Sequence, residues 1–254
     1  MPVFSLEDHQ RVHDRVLDLA AEDERVVAGA VVGSLAERGD RWSDVDLTFA
    51  VADNVPVPDV LADWTRRLVT ELDAVVLFDL PSGASIYRVF LLPGCLQLDL
   101  SFTPASAFGA RGPRFRLLFG GTGEPPAAQP RAPEELFGYA VHHALRARFC
   151  IERGRLWQAE YWVSGVRDYA LSLACRARRL PPHEGRGFDE LPADVSARFT
   201  DALVASLERD ELLRALGAAV DGLLGEAAAV PELAARAEPE LRALTERWPD
   251  EGRA

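Results

Sequence analysis

Strand-like runs in this sequence all fall before residue 120, and from residue 134 onward only helical spacing is found. Strands followed by helices, rather than strands alternating with them, point to a mixed α+β architecture: a sheet with flanking helices, then a C-terminal helical bundle. Between the two lies a connector punctuated by Pro104, Pro113, Pro125, Pro126, Pro130 and Pro133. It leaves room for one edge strand at FRLLF, 115–119. The expected domains are residues 1–130 and 131–254.

In the first domain, Val12, Val16, Leu19 and Ala20 recur at helical spacing and predict an amphipathic helix over 6–21. VVAGAVV, 26–32, reads as a buried strand that ends at Gly33. VDLTFAV, 45–51, alternates apolar and polar. Leu61, Trp64, Leu68 and Leu72 mark a second helix, and AVVLFD, 74–79, a further strand. Runs at 84–92 and 96–102 flank Pro93-Gly94, a hairpin signal. The helical half, 134–180 and 194–247, is interrupted by the loop from Pro181-Pro182 to Pro192 and again at Pro231.

Composition narrows the function. With 48% hydrophobic and 27% charged residues the chain is globular rather than disordered. No run of about eighteen apolar residues predicts a membrane span. The N-terminal MPVFSLEDHQ lacks the basic start and apolar stretch of a secretory signal, so a cytoplasmic location is expected. Cys95, Cys150 and Cys175 are too far apart for a metal-ligand spacing and read as reduced thiols. His9 and His13, four apart on a helix, have no further ligand near them and read as a solvated face. A net charge of −12 argues against a nucleic-acid partner, whose phosphates need Lys and Arg to replace their counterions. An acidic surface suits a small cationic substrate, and it is equally what solubility produces.

The chemistry is carried by three pieces. Gly33-Ser34 ends a buried strand, where glycine lets backbone approach a ligand and a following turn aims N–H groups at an anion; plain strand-ending turns look the same. In Asp44-Val45-Asp46-Leu47 the strand period puts Asp44, Asp46 and Thr48 on one face and Val45, Leu47 and Phe49 on the other. Two carboxylates side by side repel unless a cation sits between them, and strands disfavour Asp. In LQLDLSF, Leu96, Leu98, Leu100 and Phe102 face inward, while Gln97, Asp99 and Ser101 share the opposite face. Three carboxylates on adjacent strands can hold two magnesium ions about 3.5–4 Å apart, which clamp the attacking and leaving oxygens of an in-line displacement. Asp99 is also placed to accept the proton of an attacking hydroxyl.

The run GSLAERGDRWSDVDL, with Asp99 in a later strand, resembles the signature of the nucleotidyltransferases related to DNA polymerase β. Within that superfamily it is most similar to the small aminoglycoside and lincosamide nucleotidyltransferases. The family pattern is Gly-Ser, about ten residues, then Asp-x-Asp, and here nine residues separate Ser34 from Asp44. Many relatives place Ala-Arg-Gly after the residue following Gly-Ser; here Glu37 intervenes between Ala36 and Arg38-Gly39. The resemblance covers about residues 25–102. It implies that Gly33, Ser34 and Ser43 bind the nucleotide and that Asp44, Asp46 and Asp99 form the catalytic, metal-binding triad. It further implies Mg2+ and a nucleoside triphosphate, and a helical domain that closes over the acceptor.

On the helical half, Trp157, Glu160, Tyr161, Ser164 and Asp168 form one stripe at three- and four-residue spacing. Such a stripe either lines a pocket for a cationic or sugar-like acceptor or belongs to the bundle core with acids at its edges. Arg146, Arg148 and Arg153 are candidates to reach triphosphate oxygens. The function expected is transfer of a nucleoside monophosphate, AMP from ATP, to a hydroxyl of a small acceptor such as an aminoglycoside or lincosamide. A protein acceptor, or a non-catalytic nucleotide-binding partner that keeps the fold, are the alternatives.

Overall fold

The computed structural model describes residues 3–36, 42–110, 114–123 and 131–246. The chain is α+β and forms two compact units, Met1–Ala128 and Gln129–Ala254.

The first unit opens with α1 (Leu6–Glu22). Ser5 caps it: the Ser5 hydroxyl accepts from the Asp8 N–H at 3.1 Å while the Asp8 carboxylate accepts from the Ser5 N–H at 2.9 Å. Its apolar stripe, Val12, Val16, Leu19 and Ala20, is buried. The same stripe takes in His9, also buried, with Nε2 lacking a hydrogen-bond partner among the described residues. The expectation of a solvated histidine face therefore fails at His9, which the helical period turns inward with Val12 and Val16. β1 (Val26–Val32) follows and passes into a short 3₁₀ turn, Gly33–Ala36. β2 (Val45–Val51) leads to α2 (Val57–Leu72), which starts with proline in its first turn and stops at Asp73 in the left-handed conformation.

β3 (Val75–Ser82), β4 (Ser85–Leu92), β5 (Leu96–Pro104) and β6 (Phe115–Phe119) complete a six-stranded sheet of order β3-β4-β5-β2-β1-β6. FRLLF thus becomes an edge strand beside β1, and VVLFDLPS the opposite edge, with every residue exposed. The turn between β4 and β5 is built on Gly94 at φ 77° and Cys95 at φ 66°. All strand pairs are antiparallel except β2 with β5.

That one parallel pair sits in the middle of the sheet, and both of its strands alternate. Val45, Leu47, Phe49 and Val51 of β2, with Leu96, Leu98, Leu100 and Phe102 of β5, form the main core with the stripes of α1 and α2. Trp64 packs edge-on against Phe102, ring centroids 5.0 Å apart, and its indole N–H donates to Asp23 at 2.8 Å. On the opposite face a smaller apolar cluster of Ala28, Ala30, Ala50 and Phe108 covers part of the sheet. That face also carries Asp46, Thr48, Asp99 and Ser101.

The second unit is helical: α3 (Pro133–Glu152), α4 (Leu156–Ala177), α5 (Ala193–Thr200), α6 (Arg209–Gly225) and α7 (Pro231–Thr245). Small residues, Ala140, Ala144 and Ala147 of α3 and Ala159 and Ala170 of α4, are fully buried and let the two long helices approach closely. Among the described residues no helix is long and apolar enough to cross a membrane. The three cysteines are free thiols, Cys95 exposed and Cys150 and Cys175 buried.

Candidate metal centre

β2 and β5 each carry one acid in an otherwise apolar–polar alternation. Asp44 immediately precedes β2 and Asp46 is its second residue; Asp99 is the fourth residue of β5. The parallel register sets Asp46 directly beside Asp99 and Thr48 beside Ser101. The two hydroxyls bond at 2.7 Å, Ser101 donating to Thr48 Oγ1, so the register is tied on the polar face as well as in the core.

As a result one carboxylate oxygen from each of Asp44, Asp46 and Asp99 lies within 4.8 Å of the others, and all three residues are half-buried. Octahedral ligands of Mg2+ at 2.0–2.1 Å stand roughly 3 Å apart when adjacent and about 4.2 Å apart when opposite. At least two of the three pairs must then be adjacent, so the cluster needs to contract by up to about 2 Å to share an ion of that kind. The donor set is all oxygen, as hard divalent cations require.

Electrostatics are consistent with this donor set. Burial raises the Asp99 carboxyl to about 6, the Gln97 amide opposes the shift, and the neighbouring charge of Asp44 adds to it. Gln97 donates to both Asp99 oxygens, at 3.0 and 3.1 Å, and fixes the carboxylate's orientation. Sequence reasoning put Gln97 on this face without a task. The signal available was its position two residues before Asp99, on the same side of one strand.

Gly33 stands where β1 gives way to its 3₁₀ turn, at φ 68°, a conformation that L side chains rarely adopt. A β-carbon there would overlap the Asp46 carboxylate oxygen. The absence of a side chain is thus what lets backbone come up against the acid. The turn is a four-residue 3₁₀ piece, so no helix dipole of consequence stands behind Ser34. Ser34 is half-buried; Ser43, one residue before Asp44, is buried. Glu37, Arg38 and Gly39 lie outside the described residues.

In the helical unit the stripe of α4 is not a core stripe. Trp157 is 78% and Tyr161 63% exposed, while Glu160 is half-buried and accepts a 2.8 Å hydrogen bond from the Ser164 hydroxyl. The core face of α4 is carried by Ala159, Val163, Val166 and Ala170. The arginine candidates separate. Arg148 is wholly buried, donating at 2.8 Å to the carbonyls of both Leu244 and Glu246 and pairing with Glu152 at 2.8 Å. It ties down the end of α7 and is not available to a triphosphate, which corrects the sequence expectation. Arg146 lies 5.9 Å over the Trp162 ring, and Arg153 is exposed at the end of α3.

No protein-family model matches the chain, and no curated protein does. Among solved structures, an aminoglycoside 6-adenyltransferase from Bacillus subtilis aligns with a TM-score of 0.37 at 10% identity, over 95% of this chain and 99% of that one.

Proposed function

We propose that Asp44, Asp46 and Asp99 are the metal centre of a nucleotidyltransferase that moves a nucleoside monophosphate, AMP from ATP, onto a hydroxyl of a small acceptor. The observation that carries this reading is the side-by-side placement of Asp46 and Asp99 on neighbouring parallel strands, with Asp44 completing one oxygen cluster. Bound there, Mg2+ supplies charge that neutralises the oxygens of the reacting phosphate.

The chain's own residues do the rest. Asp44, Asp46 and Asp99 would hold the ions, and Gly33, lacking a side chain, makes room for the Asp46 carboxylate. Gln97 keeps the Asp99 carboxylate aimed. An Asp99 oxygen receives the proton of the acceptor hydroxyl as the new bond from oxygen to the α-phosphorus forms. The bond from the α-phosphorus to its bridging oxygen breaks, and the electron pair leaves on pyrophosphate. Trp157, Glu160 and Tyr161 are proposed to contact the acceptor. Trp157 and Tyr161 are exposed on α4 with Glu160 half-buried beside them, and an aromatic and acidic surface suits a cationic or sugar-like molecule. Aminoglycosides and lincosamides fit that description.

The test is a screen with labelled nucleoside triphosphates and Mg2+ over aminoglycosides, lincosamides and whole lysate, followed by Asp46→Asn. That variant keeps the shape and removes a ligand charge, and turnover should fall by roughly a thousandfold or more. Near-normal turnover in Asp46→Asn would refute the reading. A wild-type protein whose melting temperature ignores every triphosphate–Mg2+ pair would instead favour a fold without chemistry.

A further inference from the structure

Three arginines cluster at the C-terminal end of α4, in the run CRARRL at 175–180, and they divide by what they touch. Arg178 is occupied. Its guanidinium donates to the Ala174 carbonyl at 2.9 Å and pairs with Glu226 at 2.7 Å, which answers the carbonyl end of the helix. Arg176 and Arg179 make no side-chain hydrogen bond or ion pair among the described residues. With 40 acidic side chains to 28 basic ones, this chain has carboxylates to spare, yet neither guanidinium has taken one.

Both line one cavity of about 400 Å³, and every lining residue belongs to the helical unit. Its other walls are apolar: Leu173 and Leu180, Pro133 at the start of α3, and Pro182 in the loop after α4, with alanines between. No carboxylate among the described residues lines it. Sites for small organic molecules have this size and make-up, an apolar lining with a few charged groups that fix orientation. The loop wall is tied in place. The Ser172 hydroxyl donates to the Pro182 carbonyl at 2.7 Å, and the Gly187 N–H to the Pro181 carbonyl at 3.1 Å.

Arg179 is also held against its conformational preference. The Leu180 N–H donates to the Cys175 carbonyl at 2.9 Å and the Arg179 N–H to the Arg176 carbonyl at 3.2 Å. These are the paired bonds of a helix stop whose turning residue is ordinarily glycine. Arg179 takes that place at φ 61°, where it is less stable than glycine would be. The strained position is thus occupied by a guanidinium that no other part of the fold uses.

We infer that this cavity binds a small amphipathic anion, its apolar body against Leu173, Leu180 and the two prolines and its carboxylate or phosphate head held by Arg176 and Arg179. Guanidinium forks match both heads. The site goes beyond the nucleotidyltransferase reading and does not depend on it, since no residue of the first unit lines the cavity.

The experiment is calorimetry on the whole protein. Decanoate and decyl phosphate are the probes, below their micelle-forming concentrations. Decanol supplies the same tail without charge, and acetate and inorganic phosphate supply heads without a tail. One or both amphiphiles should bind with a Kd below about 100 μM, and the three partial probes at least about tenfold more weakly. Arg176→Gln and Arg179→Gln should each weaken the amphiphile roughly ten- to a hundredfold, the range of a lost charged hydrogen bond. Arg186→Gln, in the same loop but outside the lining, should leave it within about twofold of wild type. Arg179→Gly should weaken it like Arg179→Gln while raising the melting temperature by roughly 2–4 °C, because glycine relieves the strain at φ 61°. Asp46→Asn should bind it like wild type whatever happens to turnover, so the fate of the metal centre and the fate of this site are read separately. Failure of both amphiphiles to bind would overturn the site. So would decanol binding as tightly as they do, or an affinity that ignores both arginine substitutions.

Discussion

The volume that a β-carbon would fill at Gly33 is already taken by the carboxylate of Asp46. One residue is glycine because the other is an aspartate pointing at it. Asp46 lies on β2 and Gly33 immediately follows the antiparallel β1, at the end where the acids gather.

Replacing Gly33 by alanine should therefore act twice. The backbone there is at φ 68°, where a side chain is strained by about 1–3 kcal/mol, and the new methyl displaces Asp46. Urea unfolding should show the stability loss, and Mg2+ titration should show an affinity loss larger than the stability loss accounts for. Gly138 is the control. It lies exposed within α3 with nothing in reach of an added β-carbon, so Gly138→Ala should stabilise by roughly 0.5–1 kcal/mol and leave Mg2+ binding alone.

Asp99 links stability to pH. Its folded carboxyl titrates at about 6, above its ordinary value of 3.8, mainly because it is buried. For a raised carboxyl the stabilising contribution is complete below the unfolded value and disappears as pH rises through the folded one. Metal-free protein should accordingly lose stability between about pH 4 and 7. Asp99→Asn should flatten that part of the curve and melt higher than wild type at pH 8. Thermal melts in EDTA across that range decide it; a wild-type curve no steeper than that of Asp99→Asn would contradict the assignment.

Asp23 behaves in the opposite sense. The Arg25 guanidinium above all, helped by the Trp64 indole N–H, holds its carboxyl down at about 2. A depressed carboxyl stabilises above its unfolded value near 4, and that contribution is lost as pH falls toward 2. Asp23→Asn should cost on the order of 2 kcal/mol at pH 7 and almost nothing at pH 2, read from urea midpoints at the two pH values.

Arg148 should prove structural. Burial pushes its guanidinium down, and the carboxylate of Glu152 pulls it back up. Arg148→Ala strands the Leu244 and Glu246 carbonyls at the end of α7 and should destabilise by roughly 3 kcal/mol. Nucleotide affinity in the surviving folded fraction should be unchanged. A selective loss of triphosphate binding without loss of stability would return Arg148 to the site.

The alternation of VDLTFAV and LQLDLSF was legible in the sequence because a period of two needs no partner to be seen. What alternation does not contain is register. That Asp46 meets Asp99, rather than lying a strand away, follows from β5 pairing parallel to β2 across the sheet's centre, a long-range choice made by the core residues of both strands. The hidden fate of Arg148 had the same origin: nothing local to α3 announces that its partners are carbonyls almost a hundred residues on. His9 misled in a simpler way, since a polar residue on the apolar side of a helix looks solvated until the stripe around it is seen to be buried.

The parallel register of β2 with β5 also governs quality control. Slipping either strand by one residue would turn Asp46 or Asp99 into the helix-covered core and put leucines on the polar face. Such a chain would bury an unpaired charge and would not hold its fold. Misaligned molecules are thus removed by unfolding instead of persisting as well-folded but inert copies. In any preparation, the proportion of molecules with aligned acids should equal the proportion that is native, so acid alignment lost on storage should track loss of fold one for one.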